Sequence, residues 1–129
     1  DDVVSQHRDA LSFYVPGQPE WVDWKCGLAI TLRLRFECQG RKQDSEEAIL
    51  SSRQMLSWTP RACANHCCSL DELAKSLYIR FRQGGERKDL EEAIQHHRDA
   101  LVLTPPGHPD RGMSLNNIVT CSLRTEHEP

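Results

Sequence analysis

The chain repeats itself every 45 residues, and no other feature constrains its fold as tightly. HRDAL stands at 7–11 and again at 97–101, and midway between them lies a drifted copy, SRQML, at 52–56. The flanks keep the same register. DSEEAILSSRQMLSWTP (44–60) matches DLEEAIQHHRDALVLTP (89–105), and CGLAITLRLRF (26–36) matches DELAKSLYIRF (71–81), with NNIVTCSLRT (116–125) as a looser third copy. A unit this short cannot bury its apolar faces alone and needs neighbouring copies to cover them. A single H-R-D would also fit the catalytic loop of a protein kinase, but that loop needs an Asn about five residues on, a D-F-G and a glycine-rich phosphate loop. The corresponding positions here are Tyr14 and Thr104, and neither motif occurs.

Each half of the repeat reads as a helix. Ala93, Ile94, His97, Ala100, Leu101 and Leu103 follow helical spacing on one stripe. Leu28, Ala29, Leu32 and Phe36 do the same, echoed by Leu73, Ala74, Leu77 and Phe81. Asp44 with Glu47, and Asp89 with Glu92, have the spacing of an N-cap followed by a stabilising acid. Pro60 and Pro105 end one helix type, and Gly40 and Gly85 suit a left-handed residue after the other. The pattern predicts helices over about 1–14, 20–38, 45–58, 66–83 and 90–103, with a sixth begun at 110–125. Phe13, Trp58 and Leu103 are equivalent, large and apolar, as packing positions should be. His7 and His97 lie on the apolar stripe and are expected to be buried packing residues, each capped by a hydrogen bond. Ser52 takes their place in the middle copy with no evident gain elsewhere.

With 129 residues the chain is expected to form a single domain, 1–129, of about two to three repeats and to be part of a longer array. A net charge of −3 and pI near 6.1 carry no footprint for nucleic acid or an anionic membrane. No apolar run approaches the ~20 residues of a membrane span, and the first residues lack the layout of a secretory signal. The six cysteines do not recur with the repeat, as disulfides supporting a repeated fold would, so reduced thiols in a cytoplasmic protein are expected.

These residues resemble tetratricopeptide repeats. Ala93, His97, Ala100 and Pro105 sit at the spacing of that family's second-helix signature, with Ala48, Ser52, Met55 and Pro60 as a weaker copy. Leu28-Ala29 and Leu73-Ala74 look like its Leu-small step. The period exceeds the family's usual one through longer loops, and the string 89–117 is similar to long-repeat arrays of fungal multidomain proteins, which often accompany caspase-like or nucleotide-binding domains. The resemblance implies an all-α fold of antiparallel helix hairpins stacked as a right-handed α-solenoid. It also implies a non-catalytic scaffold that binds a peptide or partner segment in a concave groove lined by the first helix of each unit. Mapped by the match, groove-facing positions are Asp23, Cys26, Ile30 and Arg33; Asp71, Lys75 and Tyr78; and Asn116 and Thr120. Partners would be a protein or peptide, including adjacent domains of the same chain, with no cofactor. The alternative is a spacer or sensor segment of a larger signalling protein.

A third reading comes from another class. Cys63, His66, Cys67 and Cys68 form the densest set of possible zinc ligands, with Cys63 and Cys67 one helical turn apart. Against it, the equivalent stretches of the other units, PGQPEWVD and PGHPDRGM, carry no such set, and adjacent Cys67 and Cys68 do not readily face one ion from a helix. A Cys–His nucleophile lacks any local orienting group or oxyanion hole. Trp21 and Trp24 are expected to pack rather than stack a ligand, and the charged runs at 41–42 and 86–88 to be solvated.

Overall fold

A computed structural model describes residues 2–59, 64–109 and 111–127, with the side chains of 2, 64–65, 67–68, 113–114, 122 and 124–127 left aside. The described residues form six α-helices and no strand: α1 (Asp2–Leu11), α2 (Pro19–Gln39), α3 (Lys42–Trp58), α4 (Ala64–Arg82), α5 (Arg87–Val102) and α6 (Arg111–His127). The repeat thus consists of two alternating helix types, an A type (α2, α4, α6) and a B type (α1, α3, α5). The chain divides into two compact units, residues 1–60 and 61–129.

In the first unit α2 packs against α1 and α3. Val4, Leu28, Leu32 and Ala48 form a buried cluster there, with Leu11 packed against it. Pro19 opens α2, where its missing N–H costs nothing and its fixed φ suits a helix. In the second unit α5 packs against α4 and α6. Leu73, Ala74, Leu77, Leu90, Ala93, His97 and Ala100 are buried there, as the helical periodicity requires. Each B-type helix before a Thr-Pro ends alike. The Thr59 hydroxyl donates to the Met55 carbonyl, and the Thr104 hydroxyl donates to those of Ala100 and Leu101, so carbonyls that already accept a backbone N–H gain a second donor at the helix end.

The joint between A and B helices is the same in both units. Arg35 donates from Nε to one Asp44 oxygen at 2.8 Å and from a terminal nitrogen to the other at 2.7 Å. Arg80 grips Asp89 in the same two-bond fork, at 2.9 and 2.8 Å. Both aspartates are buried. Neither is an N-cap: the caps are Arg41 and Glu86, without side-chain hydrogen bonds, and each aspartate lies in the first turn. An acid at this place still meets the positive end of the helix dipole, but its oxygens are spent on the arginine.

The glycines at the joint serve two purposes. Gly40 is left-handed, with φ of 71°, and its N–H caps α2 on the Phe36 carbonyl. Its equivalent, Gly85, has no positive φ; the left-handed residue there is Gly84, with φ of 99°. A Cβ on Gly85 would lie 2.6 Å from the Arg80 carbonyl oxygen and 2.7 Å from Asp89 Oδ2, so Gly85 is small because the clasp passes beside it.

Two expectations are revised. Phe13 and Trp58 are 83% and 54% exposed, and Leu103 is half-buried, so that series is not a core column. The loss of histidine at Ser52 does have a counterpart, one turn along. Ser52 and Met55 replace His97 and Ala100, a small–large pair for a large–small one, and all four are buried. Swaps that conserve volume are the ones a close-packed interior tolerates.

Burial of the Arg35 clasp sets two expected outcomes. Asp44→Ala or Arg35→Ala, each leaving a charge unpaired, should cost about 3 kcal/mol in urea unfolding, and the joint Arg35→Met/Asp44→Leu replacement clearly less than either. The Arg35 guanidinium, against the opposing effect of burial, holds the Asp44 carboxyl below the usual range. The ionised form is therefore the one that stabilises the fold. Its contribution is complete above the unfolded-state value, near pH 4, and is lost as pH falls through the lower folded value. Asp44→Asn should accordingly show a flatter fall in Tm between pH 5 and pH 2 than the wild type.

Candidate functional site

The A-type helices carry the residues mapped to a groove. On α4, Asp71, Lys75 and Tyr78 are half-buried and follow one another at a spacing that keeps them on one face. Arg82 continues the face, its guanidinium 5.8 Å from the centre of the Tyr78 ring, within reach of a cation–π attraction. The Asp71 carboxylate is tethered, its Oδ1 accepting from Nδ1 of His97 on α5 at 3.0 Å. His97 is only 2% exposed. An ionised carboxylate can only accept, so this bond places the imidazole proton on Nδ1. Sequence reasoning expects His97 to be a packing residue capped by a hydrogen bond but names no partner, because the long-range pairing with Asp71 joins different helices and has no local signature.

Elsewhere in the second unit, Asn116 and Thr120 are exposed on α6, and the Thr120 hydroxyl donates back to the Asn116 carbonyl. In the first unit, Asp23 is exposed on α2, Cys26 and Ile30 are half-buried, and Arg33 lies 3.8 Å from Glu37 one turn on. The register equivalents of Asp71 and His97 are Cys26 and Ser52, so the tethered carboxylate belongs to the second unit. The Ser52 hydroxyl is buried without a hydrogen-bond partner.

The aromatic residues of the first unit are structural neighbours of one another. Trp21 is buried with its ring edge-on to Trp58, at 6.4 Å between centres, and the Lys25 ammonium sits 5.7 Å above it. Burial pushes the Lys25 amine below its ordinary pKa, a shift that nearby Glu47 opposes and nearby Arg8 reinforces. Trp24, partly exposed, meets the His7 ring edge-on at 5.5 Å. His7 is half-buried rather than buried, donates from Nδ1 to the Val3 carbonyl, and presses on Gly27, where a Cβ would lie 2.6 Å from its Nε2.

Of the proposed zinc ligands, Cys63 and the side chains of Cys67 and Cys68 lie outside the described residues, and His66 is half-buried on α4. Among the described residues no three His, Cys, Asp or Glu side chains converge as a metal site, and no helix is long and apolar enough to cross a membrane. Cys26, Cys38 and Cys121 form no disulfide. Burial raises the Cys121 thiol to about 11, which keeps it protonated and poorly nucleophilic at neutral pH.

No family model, curated protein or solved structure matches the chain.

Two outcomes follow for the thiols. Brief iodoacetamide treatment of the native protein at pH 7.5, read by peptide mass spectrometry, should label exposed Cys38 well before Cys121. Protein purified without chelators should contain well under one zinc per chain by atomic emission; a full equivalent, together with unfolding on chelation, would establish the zinc reading at Cys63–Cys68.

Proposed function

We propose that this chain is a tetratricopeptide-like helical-repeat module, part of a right-handed α-solenoid, that acts as a non-catalytic scaffold and takes an extended partner segment on its A-type helices. The observation that carries this reading is the α4 face. Asp71, Lys75 and Tyr78 present an acceptor, a donor and an aromatic ring in succession on one side of a helix whose other positions, Leu73, Ala74 and Leu77, are buried in the core. Mixed polarity with an aromatic anchor is what recognition of an extended segment uses: main-chain hydrogen bonds contribute affinity, and a few side chains choose the partner. The 45-residue register adds support, because a rebuilt joint with the same Arg–Asp fork gives each unit the same rigid hairpin on which a surface can vary. Binding also suits the described carboxylates with the tightest geometry, Asp44 and Asp89, which are committed to arginines rather than poised for proton transfer.

Recognition through this face makes a definite demand. Proteins captured from a lysate by the wild-type chain, then purified and titrated individually, should include at least one whose affinity falls about tenfold or more for Asp71→Ala/Lys75→Ala/Tyr78→Ala, given that fully desolvated anchors dominate such interfaces. The helical circular-dichroism signal should persist in the variant. Equal affinity for every captured partner would remove the α4 face as the binding surface and favour a spacer role.

A further inference from the structure

We propose that copies of this chain associate head to tail, α1 of one copy docking on α6 of the next as α3 docks on α2 within a chain. The association is independent of the α4 face.

The A–B hairpin is the template. α2 packs against two B-type helices, α1 and α3, and α5 against two A-type helices, α4 and α6. Among the described residues α1 has only α2 packed closely against it, and α6 only α5. The faces left open are those that the repeat buries elsewhere. Ala48 of α3 joins Leu28 and Leu32 of α2 in one cluster, and Ala93 of α5 is likewise fully buried. Val3 holds their place in the register on α1 and is 46% exposed. Ala10, half-buried, stands where Met55 and Ala100 are buried. On α6, Leu115, Val119 and Leu123 follow at four-residue intervals on one face, and all three are exposed. Val119 is 54% exposed where its counterparts Ala29 and Ala74 are fully buried. Two apolar faces that water now covers are thus the two sides of one repeated joint, and their removal from water drives association.

A separate observation picks the same partner. The turn before α2 sets Gly17 against the end of α3, where a Cβ would lie 2.9 Å from the Trp58 ring. The turn before α6 carries an equivalent left-handed glycine, Gly107, with φ of 90° against 96° for Gly17. Nothing among the described residues lies within 4 Å of its Cβ position. A ring that covers Gly107 as Trp58 covers Gly17 has to come from the end of a B-type helix set on α6. The α1 counterpart of Trp58 is Phe13, just past the helix end and 83% exposed. Val3 and Phe13 are separated in sequence as Ala48 and Trp58 are, so one docking buries Val3 on α6 and lays Phe13 of the second copy on Gly107. Such an interface is heterologous: each link leaves one α1 and one α6 free, and assembly runs past a dimer.

Sedimentation velocity of the whole chain over a concentration series tests this. Wild type should gain mass with concentration in steps of one chain. Val3→Glu and Val119→Glu each put a charge on one open face at an exposed position, so both should keep their helical circular-dichroism signal. Each alone should be monomeric. Mixed, they should form a one-to-one dimer and nothing larger, because Val119→Glu retains its α1 face and Val3→Glu its α6 face. Phe13→Ala should weaken wild-type association about tenfold, as loss of an aromatic anchor does. Self-association of Val3→Glu alone would mean α6 pairs with α6 and would overturn the proposal, as would a mixture that stays monomeric. Wild type that remains monomeric up to roughly 1 mM, the weak end of specific binding, would overturn it too and leave the open faces to flanking helices of a longer chain.

Discussion

The structure depends first on a guanidinium–carboxylate fork. Towards their C-terminal ends α2 and α4 each carry an arginine whose planar head grips, through two parallel bonds, an aspartate in the first turn of the B-type helix that follows. The geometry of such a fork is narrow, so it fixes how one helix leaves and the next begins. Because the aspartates are buried, the pair is costly to leave half-made. That strictness is why Arg and Asp hold their register while neighbouring positions drift, and why lysine would be no substitute. The connecting residues adapt to the fork. One joint spans 40–41 and the other 83–86, and a glycine serves at each, once for a left-handed turn and once to let the carboxylate pass.

Around these joints the core tolerates exchange in compensating pairs. Ser52 with Met55 fills space that His97 with Ala100 fills in the other unit, and the cost is a serine hydroxyl buried without a partner. At these positions the first unit has no imidazole, and Cys26 stands where Asp71 does in the second. The two units are therefore alike in frame but different in chemistry, as expected if packing constrains a column's summed volume more than its identity.

That difference gives the second unit its proposed role. A buried histidine is by itself a packing residue, and a half-buried aspartate is by itself a solvated acid. Joined at 3.0 Å across α4 and α5, each restrains the other. Lys75, Tyr78 and Arg82 extend the same face, with the guanidinium laid over the ring.

Much of this was legible in the sequence. The 45-residue register, helical periodicity and the proline stops at 60 and 105 placed all six helices to within a few residues, because those signals are local consequences of backbone geometry. Leu28, Ala29, Leu32 and Phe36, and Leu73, Ala74 and Leu77, were identifiable as core for the same reason. Other matters were decided only by tertiary structure. Asp44 and Asp89 have the residue type and spacing of N-caps, and only the approach of an arginine from the preceding helix shows which use prevailed. Periodicity says which side chains share a face but not what covers it, so Phe13 and Trp58 could not be told from core. The Asp71–His97 bond joins residues 26 apart through a packing interface, and no rule of short-range spacing encodes such a pair. The sequence by itself determined the helices and their repeat; packing decided which polar residues meet and thus where this protein has chemistry to offer.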